Sequence, residues 1–410
     1  MKAIAITGLG LYTSLGCGID TNWQQLAAGQ SGVKRIMRFP TAHLPVTVAA
    51  TIDLNQDNTS ATQTLIEEVL TQALTQSALS PQHIKNAQLV LTTQPRETNW
   101  PLRFDVWKTY YDAGLHDYDW AKCAENKHDE SLYHPATFNH FLTQLQMKYH
   151  LQKTPFCLNT ACASGASAIQ LAAEQILSGQ TAVSIAVAND NSVLPETITR
   201  FALLTALSTS NEVPSAASKP FSANRDGFVL GEGAAALVLE DLDYARKRGA
   251  PILAYLTGCG DSTDNFHRTR SHPSGEKIVA CMQKALAAAD ISPEHIDYIN
   301  AHGTGTPEND KMESKGIQLL FSDHCKKLLV SANKSMIGHT LSAAGAIEAV
   351  FSILTLQHQL VPPTINYHEP DPNISLNVVP NQAVATEINT VLSNSFGFGG
   401  QNVSLVFTRV

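Results

Sequence analysis

Strand-type apolar runs and helix-type runs alternate along the whole of this chain, and that alternation narrows its fold more than any other feature. Candidate strands fall at 3–8, 87–92, 182–188 and 234–239, then at 252–258, 298–301, 328–331, 390–394 and 403–408. Candidate helices fall at 60–76, 163–177, 276–288, 311–320 and 341–356. Such a pattern predicts an α/β architecture with helices covering sheets. Both halves open on a similar phrase, Ile4-Ala5-Ile6-Thr7-Gly8-Leu9-Gly10 and Leu253-Ala254-Tyr255-Leu256-Thr257-Gly258-Cys259-Gly260. The phrase hints at an internal duplication, although two short runs are weak support alone. A first half over 1–250 and a second over 251–410 are expected, with 241–248 as the crossing before Gly249-Ala250-Pro251.

A chain of 410 residues has room for two domains or one large duplicated fold. With 43% hydrophobic and 16% charged residues it reads as an ordinary globular enzyme. A net charge of −8 argues against a general nucleic-acid binder. The seven cysteines are scattered, odd in number and free of CxxC pairs, so a reduced, cytoplasmic protein is expected. No targeting peptide is expected ahead of the first strand, and no stretch long and apolar enough to span a bilayer. The stretch 94–150 stands apart, with Trp100, Trp107 and Trp120 beside Tyr110, Tyr111, Tyr118, Phe138 and Phe141. A self-packed cap on the main body is the favoured reading there, ahead of a pocket wall or subunit interface.

Cys162 lies in Asn159-Thr160-Ala161-Cys162-Ala163-Ser164-Gly165-Ala166, between a short apolar run read as a buried strand (155–158) and a helix of small residues. A thiol on such a turn meets the positive end of the helix dipole, which favours the thiolate. A buried structural cysteine is the alternative, and this run alone leaves it ahead. Two further motifs shift the balance. Asn300-Ala301-His302-Gly303-Thr304-Gly305-Thr306-Pro307, followed by Asp310 and Glu313, puts a histidine at a strand end on a Gly/Thr-rich turn. Asn333-Lys334-Ser335-Met336-Ile337-Gly338-His339-Thr340 leads into a small-residue helix that carries Glu348. Together with Cys162 these residues suit acyl transfer through a thioester. No His/Cys pair has zinc-ligand spacing, so no metal is expected. The terminal run Ser395-Phe396-Gly397-Phe398-Gly399-Gly400 offers backbone N–H groups to an oxyanion. A phosphate loop is the weaker reading, because a strand follows rather than a helix.

With Ala206-Leu207-Ser208-Thr209, Lys219-Pro220-Phe221 and Asp226-Gly227-Phe228-Val229-Leu230-Gly231-Glu232-Gly233, the set resembles the β-ketoacyl-acyl carrier protein synthases over nearly the whole chain. The resemblance implies a thiolase-like fold, two similar halves in a layered α-β-α-β-α arrangement. It implies Cys162 as the acyl-accepting nucleophile, with His302 and His339 supporting malonyl decarboxylation and Lys334, partnered by Glu348, tuning them. Cys162 and Phe398 would supply the oxyanion hole, Phe398 also serving as a gate. Asp310 and Glu313 would support the site, and Thr304, Thr306 and Gly399 would bind substrate. It implies no cofactor and no metal, an acyl carrier protein bearing phosphopantetheine thioesters as partner, and a homodimer or a heterodimer with a related subunit.

The chain departs from the family pattern in places that touch its partner. The helix at 60–76 has no lysine or arginine, where many members carry a basic cluster for docking acidic carrier protein. Thr205 stands where such members often have arginine, and 184–190 lacks the glycine pair usual before its acidic residue. Arg268, Arg270 and Lys311 are the basic residues left for docking. These departures favour a specialised polyketide or aryl-polyene type of pathway over housekeeping fatty-acid elongation. A non-catalytic partner subunit is disfavoured by the intact Cys162, Lys334, His302 and His339. A thiolase is disfavoured because no second cysteine follows Cys325.

Overall fold

The two opening phrases form the two strands on which the molecule is built. The structure, a computed structural model, describes residues 1–54, 58–94, 108–114, 116–119, 121–122 and 137–410. In the first half the principal elements are β1 (Ile4–Thr13), α1 (Asn58–Ser77), β2 (Gln88–Thr92), β3 (Phe156–Leu158), α2 (Ser164–Leu177), β4 (Val183–Asp190) and β5 (Gly233–Asp241). In the second half they are β6 (Ala254–Thr263), α3 (Glu276–Ala289), β7 (Tyr298–Asn300), α4 (Pro307–Phe321), β8 (Leu329–Ser331), α5 (Ala344–His358), β9 (Asn377–Val378), β10 (Thr390–Phe396) and β11 (Gln401–Thr408).

These strands lie in the order β9-β8-β7-β10-β11-β6-β1-β5-β4-β2-β3. Outward from the β1/β6 junction, each half runs through its first strand, its last, its next-to-last and then its second and third, and the second half adds β9 at its edge. In both halves the first two pairings are antiparallel and the next two parallel. The junction is itself symmetric, with Ile4 opposite Leu256, Ala5 opposite Tyr255 and Ile6 opposite Ala254. Each opening strand then bulges at the same place, between Ile6 and Gly8 and between Leu256 and Gly258.

The glycines after each bulge explain the phrase. A Cβ on Gly8 or Gly10 would stand 2.1 or 1.9 Å from the carbonyl oxygen of Ala73 or Val69 on α1. On Gly258 or Gly260 it would stand 2.2 or 2.3 Å from those of Ala285 or Cys281 on α3. The outer helices therefore lie directly against strand backbone, which only glycine permits.

Helix α1 covers one face of the first half through Leu65, Val69 and Ala73, and α3 and α4 cover the second through Ile278, Met282 and Ile317. Helices α2 and α5 fill the space between the halves, buried with side chains from both. Five α-β-α-β-α layers result, as the thiolase-like resemblance implies. The two central helices touch backbone to backbone, since a Cβ on Gly165 would meet Ala346 N at 2.5 Å and one on Gly345 would meet Ala166 N at 2.6 Å.

Three expectations need correction. The run Leu341–His358 is long and apolar enough to cross a membrane by length and composition, but 89% of it is buried in the core. Its first three residues are a 3-10 turn, Leu341–Ala343, rather than part of α5. Strand β3, expected to be buried, ends the sheet as a half-exposed edge, with Phe156 41% exposed. Of the aromatic excursion, Trp100, Trp107 and Trp120 lie outside the described residues. Phe141 is buried under α1 with Leu145, and Tyr111 meets Tyr118 edge-on at 5.4 Å.

Candidate active site

Ala161 carries a positive φ of 50°, a conformation that costs a non-glycine residue about 1–3 kcal/mol. Ser164 locks that turn, accepting from Thr160 N at 2.8 Å while its hydroxyl donates to the Ala161 carbonyl at 2.6 Å. The turn delivers Cys162, buried, to the foot of α2. Across the cavity the backbone N–H of Phe398 is directed at the thiol. Burial pushes the thiol up to about 11, against the pull of that N–H and of Lys334. The dipole argument from sequence is thus outweighed, because it counted the helix end and not the desolvation.

His302 follows β7, and Glu313 on α4 clamps its turn by accepting from His302 N and Gly303 N, both at 2.8 Å. Burial pushes Glu313 up to about 7 in spite of those bonds. Asp310, one turn earlier, accepts from Phe221 N at 2.7 Å and Gly305 N at 3.1 Å. Both carboxylates therefore act on backbone and stand behind the site rather than in it. Lys334 is buried beneath, pairing with Glu348 on α5 and donating to the His302 carbonyl at 2.7 Å. Its Nζ also lies 3.3 Å from His302 Nδ1.

The His339 Nδ1 accepts from Leu341 N at 3.2 Å. With both Nδ1 atoms facing donors, each ring keeps its proton on Nε2, the nitrogen left for the cavity. The two rings meet edge-on at 5.3 Å. Burial first, and then the Lys334 charge, holds both histidines well below 6.5, so they are neutral donors at pH 7.

Cys162, His302, His339, Thr304, Thr306 and Phe398 share one cavity that opens to solvent. Thr304 and Thr306 join their hydroxyls at 2.9 Å. Gly397 and Gly400 line this cavity, whereas Gly399 turns away and donates its N–H to the Arg268 carbonyl at 2.8 Å. Of the three basic residues left for docking, Arg268 and Arg270 rim the cavity and are exposed; Lys311 is exposed but does not line it. Sequence reasoning missed the apolar wall of Phe201, Phe228, Leu341 and Phe396. Phe228 packs edge-on against His339 at 5.2 Å, and its place in the Asp226–Gly233 motif was the available signal. Among the described residues, no group of three or more His, Cys, Asp or Glu is arranged to hold a metal ion.

The chain is similar to known proteins over its whole length. Residues 1–245 match the model for the N-terminal domain of beta-ketoacyl synthase, and residues 253–368 the model for its C-terminal domain. A 3-oxoacyl-[acyl-carrier-protein] synthase 2 of Coxiella burnetii is 40% identical, over 100% of this chain and 99% of its own. A putative polyketide beta-ketoacyl synthase 1 of Streptomyces halstedii is 32% identical, over 99% of this chain and 98% of its own. A type II polyketide ketosynthase solved in complex with its acyl-carrier protein is similar over 100% of both chains, with a TM-score of 0.90 and 29% identity.

Proposed function

Because the chain belongs to the β-ketoacyl synthase family of condensing acyltransferases, we propose that it loads an acyl group from a carrier thioester onto Cys162 and extends it with a malonyl-carrier thioester. In the first half-reaction the Cys162 sulfur attacks the thioester carbonyl, and the thiol proton leaves with the departing carrier thiolate. The oxyanion lies between the N–H groups of Cys162 and Phe398. In the second, the malonyl carboxylate departs as CO₂, and the Nε2–H groups of His302 and His339 donate to the enolate oxygen. The enolate carbon attacks the acyl-cysteine, and the Cys162 thiolate is released and takes a proton from solvent. Lys334 holds His302 from beneath, with Glu348 balancing its charge. Thr304 and Thr306 meet the pantetheine arm, and Arg268 and Arg270 at the rim meet the acidic carrier. The observation that carries this reading is the convergence of Cys162 and two neutral, Nε2-protonated histidines on one cavity.

The proposed pathway is a specialised one of polyketide or aryl-polyene type, supported by the absence of any lysine or arginine on α1 and by Thr205 at a place where members of the family often have arginine. Housekeeping fatty-acid elongation is the second reading, favoured by the full-length 40% identity to a 3-oxoacyl-[acyl-carrier-protein] synthase 2. The open edge of β3 supports pairing with a second copy or a related subunit.

Intact-protein mass after mixing with acyl-loaded carrier tests the reading. An acyl increment that malonyl carrier discharges into a product two carbons longer is expected. Donors confined to unsaturated or polyketide-type chains would favour the specialised pathway, and saturated chains of many lengths the housekeeping one. No increment with any donor would contradict autonomous catalysis.

A further inference from the structure

Ser342 occupies, in the second half, the place that Cys162 occupies in the first. Each follows a non-glycine residue of positive φ, Ala161 at 50° and Leu341 at 43°. Each precedes by three residues the glycine at which α2 and α5 touch, Gly165 or Gly345. The two turns differ in what faces them. The loop after β10 aims the Phe398 N–H at Cys162. The topologically equivalent strand of the first half, β4, ends in Asp190, which faces Ser342.

Asp190 and Ser342 are both buried, at 1% and 0% exposure. One Asp190 oxygen accepts from the Ser342 hydroxyl at 2.8 Å and from Ser342 N at 3.2 Å. The other accepts from the backbone N–H and hydroxyl of Ser192. Ser342 also lies 3.0 Å from the Asn189 carbonyl. The residue so fixed is the immediate neighbour of Leu341, whose N–H meets His339 Nδ1 at 3.2 Å. Ring and turn are thus tied across the halves, while the His339 backbone is pinned separately by Val229 and Gly231.

We propose that Asp190 and Ser342 are positioning residues that hold the Leu341 turn in its positive-φ conformation and so fix His339 with its proton on Nε2. This rests on the decarboxylation role given to His339 above. Without the anchor, Leu341 relaxes toward negative φ, its N–H swings off Nδ1, and the imidazole is free to carry its proton on either nitrogen.

The test uses the full chain with Ser342→Ala, read in three ways. Histidine-selective ¹⁵N spectra, with His339 assigned by difference from His339→Gln, are expected to move from a single Nε2–H form to a mixture. Malonyl-carrier decarboxylation is expected to fall about tenfold, while acyl loading of Cys162 stays within about twofold. Ser342→Thr, which keeps the hydroxyl, is expected to restore both tautomer and rate. Asp190→Asn, nearly isosteric, is expected to shift tautomer and decarboxylation in the same direction by less, and it carries the test should Ser342→Ala not fold. An unchanged His339 tautomer in these variants, or equal losses in both half-reactions, overturns the proposal. If His339→Gln itself leaves decarboxylation intact, the assigned role of His339 fails instead, and the tautomer result still judges the anchor.

Discussion

The two halves of this molecule share a topology, a bulge, a glycine pair and a strained turn, yet they use the turn for opposite purposes. In the first half the turn carries a thiol to the cavity and is met by an N–H donor from the other half. In the second it carries a serine away from the cavity and is met by a carboxylate. A duplicated scaffold can thus hold a nucleophile in one half and its proton-donating partners in the other, with different groups capping the equivalent turns.

The sharpest way to break the comparison is to exchange nucleophiles. Cys162→Ala is expected to abolish acyl loading, a loss of at least about a thousandfold in turnover. Adding Ser342→Cys to it is expected to restore none, because that position faces Asp190 rather than the cavity; acyl mass on the double variant would show the turns to be interchangeable.

Among the described residues, no ion pair buried on both sides like Lys334–Glu348 stands at the foot of α2, so the second half should bear the larger cost. Lys334→Ala leaves Glu348 buried without its cation and is expected to lower stability by about 3–5 kcal/mol in urea unfolding. Lys334→Met with Glu348→Leu is expected to recover most of that stability without recovering decarboxylation.

Where the halves are alike, they should respond alike. Gly8→Ala and Gly258→Ala each drive a Cβ into helix backbone and are expected to cost about 1–3 kcal/mol or more, within error of one another. A large inequality would show that one bulge matters more than the other.

The smallest effect is in pH. His302 and His339 sit well below their unfolded value of about 6.5, so their share of stability is complete above that pH. As pH falls through 6.5 the unfolded chain binds protons that the folded sites refuse, and this share is lost. Glu313 and Glu348, both raised to about 7, act oppositely and favour the folded state as pH falls below 7. The comparison is therefore wild type against His302→Gln/His339→Gln, which is expected to lose less stability between pH 7 and 5.

Strands, helices and reactive side chains were legible in the sequence because each carries a local signal. The pattern placed the starts of β1 and β6 within two residues but ended both strands five residues early, at the glycines past each bulge, and the motif glycines marked the turns that hold His302 and Cys162. What was not legible depends on distant partners. Edge or interior status of β3 depends on which strands flank it, and the raised thiol of Cys162 depends on burial by both halves. Phe201 and Leu341 form a wall only once the segments after β4 and β8 meet. The Asp190–Ser342 pair spans 152 residues, and no spacing rule reaches so far.

The most direct test of one site shared between two halves is to measure acyl mass on the protein and CO₂ release from malonyl carrier side by side, in Cys162→Ala and His302→Gln. The account predicts that Cys162→Ala takes no acyl group yet still releases CO₂, while His302→Gln takes the acyl group and releases almost none. Loss of both activities in both variants would contradict the division of labour between the halves.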